Sequence, residues 1–270
     1  MLKRLKYYND MYRKKKNLVL IHQMGKVGST TVATSLKKHG WFPIHIHSFF
    51  SPLSYQMYKN YKTVKYYRSR LYRLKYIIQH RLILELLKKR RKLKIISMVR
   101  EPVSRNISMY FHAFHIPLMS INKYYDNRRE ENTNLAAFRR DFFHHFNHQY
   151  GIQWFEHEFQ KAWGINVYAY PFNQEKGYTT FQQGNVEVLL LKMEKLDELE
   201  NVIQDFLDVE DFELHKDNFG ENKWYQSVYR EFKEGVYPDK SYIDELYHSK
   251  YMNHFYSSAE QEKYIRKYEH

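Results

Sequence analysis

Three short apolar runs, each handing over to a helix-starting segment, dictate most of what this chain can become. They are Asn17–Gln23 (NLVLIHQ), Trp41–His47 (WFPIHIH) and Leu93–Val99 (LKIISMV). Apolar runs of this length between polar segments read as buried strands. After the first, the glycine-bearing segment Met24–Thr31 leads into a helix over Thr31–His39 that Gly40 stops. After the third, Pro102 takes a first-turn position where its missing N–H costs nothing. That helix continues to about His115, before Pro117. Ser51-Pro52 opens a basic helical stretch that runs to about Lys92. Asn132–Gly164 reads as aromatic helix, and Val167–Tyr170 and Val186–Leu191 read as two further strands. Lys195–Leu207, Asn222–Phe232 and Lys240 to the end read as helices. Strands alternating with helices predict an α/β fold. Its sheet is parallel and covered on both faces, and ligands sit at the carboxyl ends of the strands.

No Gly/Ser or Pro-rich linker divides the 270 residues, so the expectation is one domain, 1–270, with a basic arm over 1–16 and a basic helical insertion over 54–92. Hydrophobic residues make up 43% of the chain, which excludes disorder by composition. The 26 tyrosines suggest half-buried surface, ring packed and hydroxyl wet. With no cysteine, disulfides and Cys-based zinc sites are excluded. The basic N-terminus has no apolar core of a secretory signal, and no apolar run is long enough to span a membrane. The expected location is the cytoplasm, within reach of the inner face of the membrane.

Between the first strand and its helix stand Gly25, Lys26, Val27, Gly28, Ser29, Thr30 and Thr31. A strand–loop–helix turn with two glycines gathers backbone N–H groups at the positive end of a helix. Three hydroxyls and the Lys26 ammonium complete an anion cradle. The lysine precedes Gly28, so this is not the G-x-x-x-x-G-K-[ST] loop of nucleoside triphosphatases. After the third strand come Arg100, Glu101 and Pro102, then Arg105, Ser108 and Tyr110. Arg100 can fork two donors onto a phosphate, and Ser108 lies two turns into the helix. Arg105 and Tyr110 are better suited to bracing that helix.

The loop resembles the 5′-phosphosulfate-binding loop of PAPS-dependent sulfotransferases, and the Arg100–Tyr110 segment resembles their 3′-phosphate signature R-x-P-x-x-R-x-x-S-x-Y. The two follow strands one and three, in that family's order. The resemblance implies a P-loop-like sulfotransferase fold with a helical C-terminal elaboration. It implies PAPS (3′-phosphoadenosine 5′-phosphosulfate) as cosubstrate, no metal, and Lys26 stabilising the bridging oxygen as sulfate leaves. Asn222-Lys223-Trp224-Tyr225-Gln226 resembles the Asn-Lys-Trp-Tyr-Ser signature of a bacterial family described as capsular polysaccharide synthesis proteins, with Gln226 in place of the serine. Lys223 could then reach a donor phosphate. Trp224 could stack on adenine or a sugar, or anchor the C-terminal helices.

Sulfuryl transfer needs a base for the acceptor hydroxyl. The resemblance puts a histidine or glutamate at the end of strand two, where alternation sets His45 and His47 on one face. His47 is nearer the carboxyl end, with His45 as the alternative. No third ligand stands nearby to make the pair a metal site. His22, His112 and His115 are further candidates to line the cleft.

The net charge is +14, and residues 59–94 hold fourteen bases against one acid, Glu85. Leu71, Leu74, Ile77 and Ile78 recur at helical spacing, so one side of this stretch should pack on the domain and the other present Lys and Arg. The partner this suggests is an anionic carbohydrate acceptor or an anionic membrane; nucleic acid is disfavoured. Two other readings stay open: a nucleotide-dependent kinase using the Lys26 loop, and a non-catalytic basic module. The acceptor could also be a peptide tyrosine or a small molecule.

Overall fold

A computed structural model describes residues 17–61, 70–124, 135–215 and 224–268. They form two compact units. The first draws on residues 17–50, 77–100 and 154–215, the second on the described residues between and after them.

The first unit holds a five-stranded sheet in the order β2-β1-β3-β5-β4. Its strands are β1 (Leu18–His22), β2 (Phe42–Ile46), β3 (Leu93–Val99), β4 (Tyr178–Gln183) and β5 (Val186–Lys192). β2, β1, β3 and β5 run parallel, and β4 pairs antiparallel with β5. All five β1 residues are buried, as are nearly all of β3 and β5. Burial of successive residues, which point to opposite faces, means that both faces are covered, and it explains the unbroken apolar runs. The edges differ. β2 carries Pro43, which an edge strand tolerates. β4 is polar and largely uncovered.

The first helix, α1 (Ser29–Lys38), sinks Val32, Ala33 and Leu36. It ends in a Schellman turn: Gly40 has φ 76°, its N–H donates to Lys37 O, and Trp41 N–H donates to Leu36 O. The chain leaves β1 for β2 on one side, then returns to β3 on the other. The carboxyl ends of β1 and β3 are therefore the switch point where parallel sheets take ligands.

The long helix expected over 54–92 is interrupted. A short α2 (Leu53–Met57) ends where Tyr58 and Tyr61 turn inward, and α3 runs over Arg70–Lys88. Its packing side is not the expected one. Ile83, Leu84 and Leu87 are buried, whereas Leu71, Leu74 and Ile78 are exposed. The helix begun at Pro102 is α4 (Pro102–His112), shorter than expected. A second helix, α5 (His115–Tyr124), then starts with Pro117 in its first turn, where proline is tolerated.

Val167–Ala169 is a single 3-10 turn rather than a strand, because the Asn166 side chain accepts a bond from Tyr168 N–H. The strand that pairs with β5 is β4, joined to it by the two-residue loop Gly184–Asn185 with Gly184 at φ 59°. Glycine in such a loop is a hairpin signal, but YTTFQQ has no buried face to announce it.

The second unit is helical: α2, α4, α5, α6 (Leu135–His145), α9 (Gln226–Glu234), α10 (Lys240–Tyr247), α11 (Lys250–Phe255) and α12 (Ser258–Tyr268). Two helices, α7 (Gln149–Trp154) and α8 (Glu200–Leu207), precede α9 in the chain. The core of this unit is aromatic, with Tyr110, Phe142 and Phe232 ring to ring at 5.2–5.8 Å. Several tyrosines expected at the surface are buried outright, and carboxylates and carbonyls satisfy their hydroxyls. Tyr61 and Tyr110 donate to Asp141, and Tyr58 donates to Met109 O.

Candidate functional site

At the end of β1 the backbone must turn sharply into α1. Gly25, Lys26 and Gly28 all take positive φ, at 87°, 62° and 82°. For lysine this conformation costs about 1–2 kcal/mol. Two apolar neighbours hold the loop: Met24 and Val27 are buried to 1% and 0% exposure. Gly28 packs so closely that a Cβ there would lie 3.3 Å from both Leu196 and Met193. Arg100, just past β3, donates from Nη1 to Lys26 O at 2.8 Å. Lys26, Val27, Gly28, Ser29, Thr30, Thr31 and Arg100 thus come together in the first unit. α1 has no side-chain cap and no acid in its own first turn.

The histidines at the end of β2 join this loop through a residue that sequence reasoning passed over. Gln23, fully buried, accepts the Gly25 N–H on Oε1, which fixes which way its amide points. Its Nε2 donates to Ser29 Oγ at 2.7 Å and lies 2.8 Å from His45 Nε2 and 3.0 Å from His47 Nδ1. Ser29 Oγ is 3.0 Å from His45 Nε2. The two imidazoles stand edge to face at 4.7 Å. His47 Nδ1 also lies 3.2 Å from Gln23 O, and Trp154 Nε1 donates to His47 O at 3.0 Å. His45 is exposed in part, while its Nε2 is held by Gln23 and Ser29. Burial, with a smaller push from Lys37, lowers its pKa to about 4, so at neutral pH it is an uncharged acceptor. A polar amide ending an apolar run, two residues ahead of a glycine, was the only trace of Gln23 in the sequence.

His22 does not line a cleft. It is fully buried among Phe49, Trp154, Phe159 and Trp163, and takes a bond from Trp163 Nε1 on Nδ1. Burial, then His47, holds its pKa well below the usual value. His112 and His115 are exposed, on α4 and α5 of the second unit.

In the second unit, Glu101 caps α4. Its carboxylate accepts from Val103 N and Ser104 N at 2.7 and 2.8 Å, and Tyr247 donates to it. The helix terminus after Arg100 is therefore already satisfied by a carboxylate, which leaves side chains as the means of gripping a phosphate. Arg105 is fully buried, bonding Asn106 Oδ1 and Met57 Sδ beneath the Tyr150 ring, and Tyr110 bonds Asp141; both brace. Ser108 is half-buried on α4. Trp224 is 70% exposed beside Phe114 and Tyr225, so it anchors no core. Lys223 lies outside the described residues.

Residues 126–257 match the model of a family described as "Putative capsular polysaccharide synthesis protein". The match covers just under half of the chain and takes in Asn222–Gln226. It begins beyond Arg100, so it includes neither the Gly25–Thr31 loop nor His45 and His47. No curated protein and no solved structure matches the chain.

Proposed function

We propose that this chain is a sulfotransferase that moves a sulfuryl group from PAPS to a carbohydrate hydroxyl, in the synthesis of a capsular or other extracellular polysaccharide. One observation carries the reading. A glycine loop with a left-handed lysine sits at the β1/β3 switch point, with His45 and His47 held against it through Gln23 and Ser29. The capsular family match supports the substrate class.

In this mechanism the acceptor oxygen attacks sulfur in line with the bridging oxygen. The acceptor proton passes to His47, and the S–O bond to the phosphate breaks, releasing 3′,5′-ADP. Lys26 neutralises the charge gathering on the leaving phosphate, and the Ser29–Thr31 hydroxyls and first-turn N–H groups hold it. Arg100 braces the loop through Lys26 O and is the fork this reading assigns to phosphate. Ser108, Lys223 and Trp224 are the further donor contacts this reading assigns. The reaction is read as cytoplasmic and metal-free, with an anionic acceptor.

The test is ligand stabilisation. 3′,5′-ADP without magnesium should raise the melting temperature, by about 2.7 kcal/mol of stability at a hundredfold excess over Kd. Arg100→Ala should weaken that binding more than Ser108→Ala, a charged fork outweighing one neutral hydroxyl. Stabilisation by ATP with magnesium but none by 3′,5′-ADP would make the Lys26 loop a kinase site instead.

A further inference from the structure

The helix α3 is apolar on two opposite sides. Ile83, Leu84 and Leu87 are buried. Leu71, Leu74, Ile78, Leu82 and Leu86 are exposed, at 76%, 55%, 51%, 61% and 38%. At 3.6 residues per turn these five fall within an arc of about 120°, roughly opposite the buried three, and extend about 22 Å along the axis. Five aliphatic side chains in one uncovered row are more than a solvated helix face carries. The charge around them is mainly positive. Arg70 and Arg81 border the row on one side and Lys75 stands within it, all three exposed, and the single acid of the helix is Glu85.

We infer that the outer face of α3 lies on anionic lipid, with Leu71, Leu74, Ile78, Leu82 and Leu86 in the headgroup–acyl boundary and the flanking Arg and Lys on the headgroups. The combination is what separates this occupant from others. An acidic polysaccharide or a nucleic acid would answer the bases but leave five aliphatic side chains unmatched. A second copy would cover the aliphatic row but bring Arg and Lys against their own kind, since a two-fold contact sets the same patch on both sides. A helix with one apolar face and a cationic border is what an anionic bilayer surface binds, the apolar face entering by about 5–10 Å. This inference is independent of the reaction proposed above.

Vesicle flotation of the full chain tests it, using phosphatidylcholine vesicles with and without phosphatidylglycerol. The wild type should float with the anionic vesicles and at least about tenfold more weakly with the neutral ones. The variant Leu74→Gln/Ile78→Gln/Leu82→Gln changes only exposed positions. It should keep the wild-type melting temperature and lose about tenfold or more on anionic vesicles. Arg70→Gln/Lys75→Gln/Arg81→Gln should lose the preference for anionic lipid and its salt sensitivity, which follows the Debye length. Ile78→Trp should blue-shift its added fluorescence on anionic vesicles. The inference fails if the wild type stays with neither vesicle, or if the leucine and isoleucine substitutions leave flotation unchanged. It also fails if those substitutions instead convert a dimer to a monomer in solution, which would make the face a contact between copies.

Discussion

Gln23 shows how much one uncharged side chain can organise. Its amide nitrogen has two hydrogens and three neighbours: Ser29 Oγ, His45 Nε2 and His47 Nδ1. We expect the two shortest contacts, to Ser29 and His45, to use both hydrogens. On that arrangement His47 Nδ1 faces the Gln23 carbonyl, which can only accept, and should carry the proton, with the lone pair on Nε2. That tautomer suits His47 as the base. Nitrogen-15 NMR of the wild type should find His47 protonated on Nδ1. His47→Ala should cost about 10²–10⁴ in turnover. Gln23→Met should lower kcat and mix the His47 tautomers while 3′,5′-ADP affinity holds. A wild-type His47 protonated on Nε2 would remove Gln23 from this role but leave donor binding unaffected.

Among the elements, the β1–α1 turn is the most constrained. Gly28→Ala should destabilise the fold by at least about 1–2 kcal/mol, from the left-handed backbone alone. The contacts at 3.3 Å to Leu196 and Met193 add to this, and thermal unfolding will show it. This turn was legible in the sequence because two glycines just past an apolar strand mark a sharp change of direction into a helix. β1, β3 and β5 were legible because a strand buried on both faces is apolar throughout, and β2 because Phe42, Ile44 and Ile46 alternate with Pro43 and His45. β4 was not, since an edge strand exposing Thr180, Gln182 and Gln183 looks like a loop to any hydrophobic pattern. α3 was legible as a helix but not in its orientation. Periodicity finds apolar stripes, and when a helix has two it cannot say which one the rest of the chain covers. The histidine pair was foreseen from strand alternation. Gln23 was not, because a buried hub is defined by what surrounds it rather than by spacing along the chain.

For the molecule as a whole, acid is the informative stress. Burial lowers His148 to about 4, and it acts on His22 in the same direction. The unfolded chain protonates these groups near 6.5, so between pH 6.5 and 4 it binds more protons than the folded one. Stability is therefore full above pH 6.5 and falls as the pH drops toward 4, by at most about 3 kcal/mol for His148. His45, partly in solvent, adds less. Asp141, raised by burial, works in the opposite sense at the acid end. Urea unfolding at pH 7 and pH 5 should show the loss, and His148→Gln should flatten the slope; a profile level from pH 7 to 5 would contradict it. The order of pairing in the sheet bears on synthesis as well. β3 pairs on one side with β1, already made, but on the other with β5, where Leu93 meets Val186. At roughly 5–20 residues per second, a ribosome needs about five to twenty seconds to supply that partner. Throughout that interval a nascent chain displays the apolar, open-sided strand Leu93–Val99. The hazard this molecule faces is thus greatest before it is finished, and a chaperone or a neighbouring chain that reads bare strand edges would meet it there first.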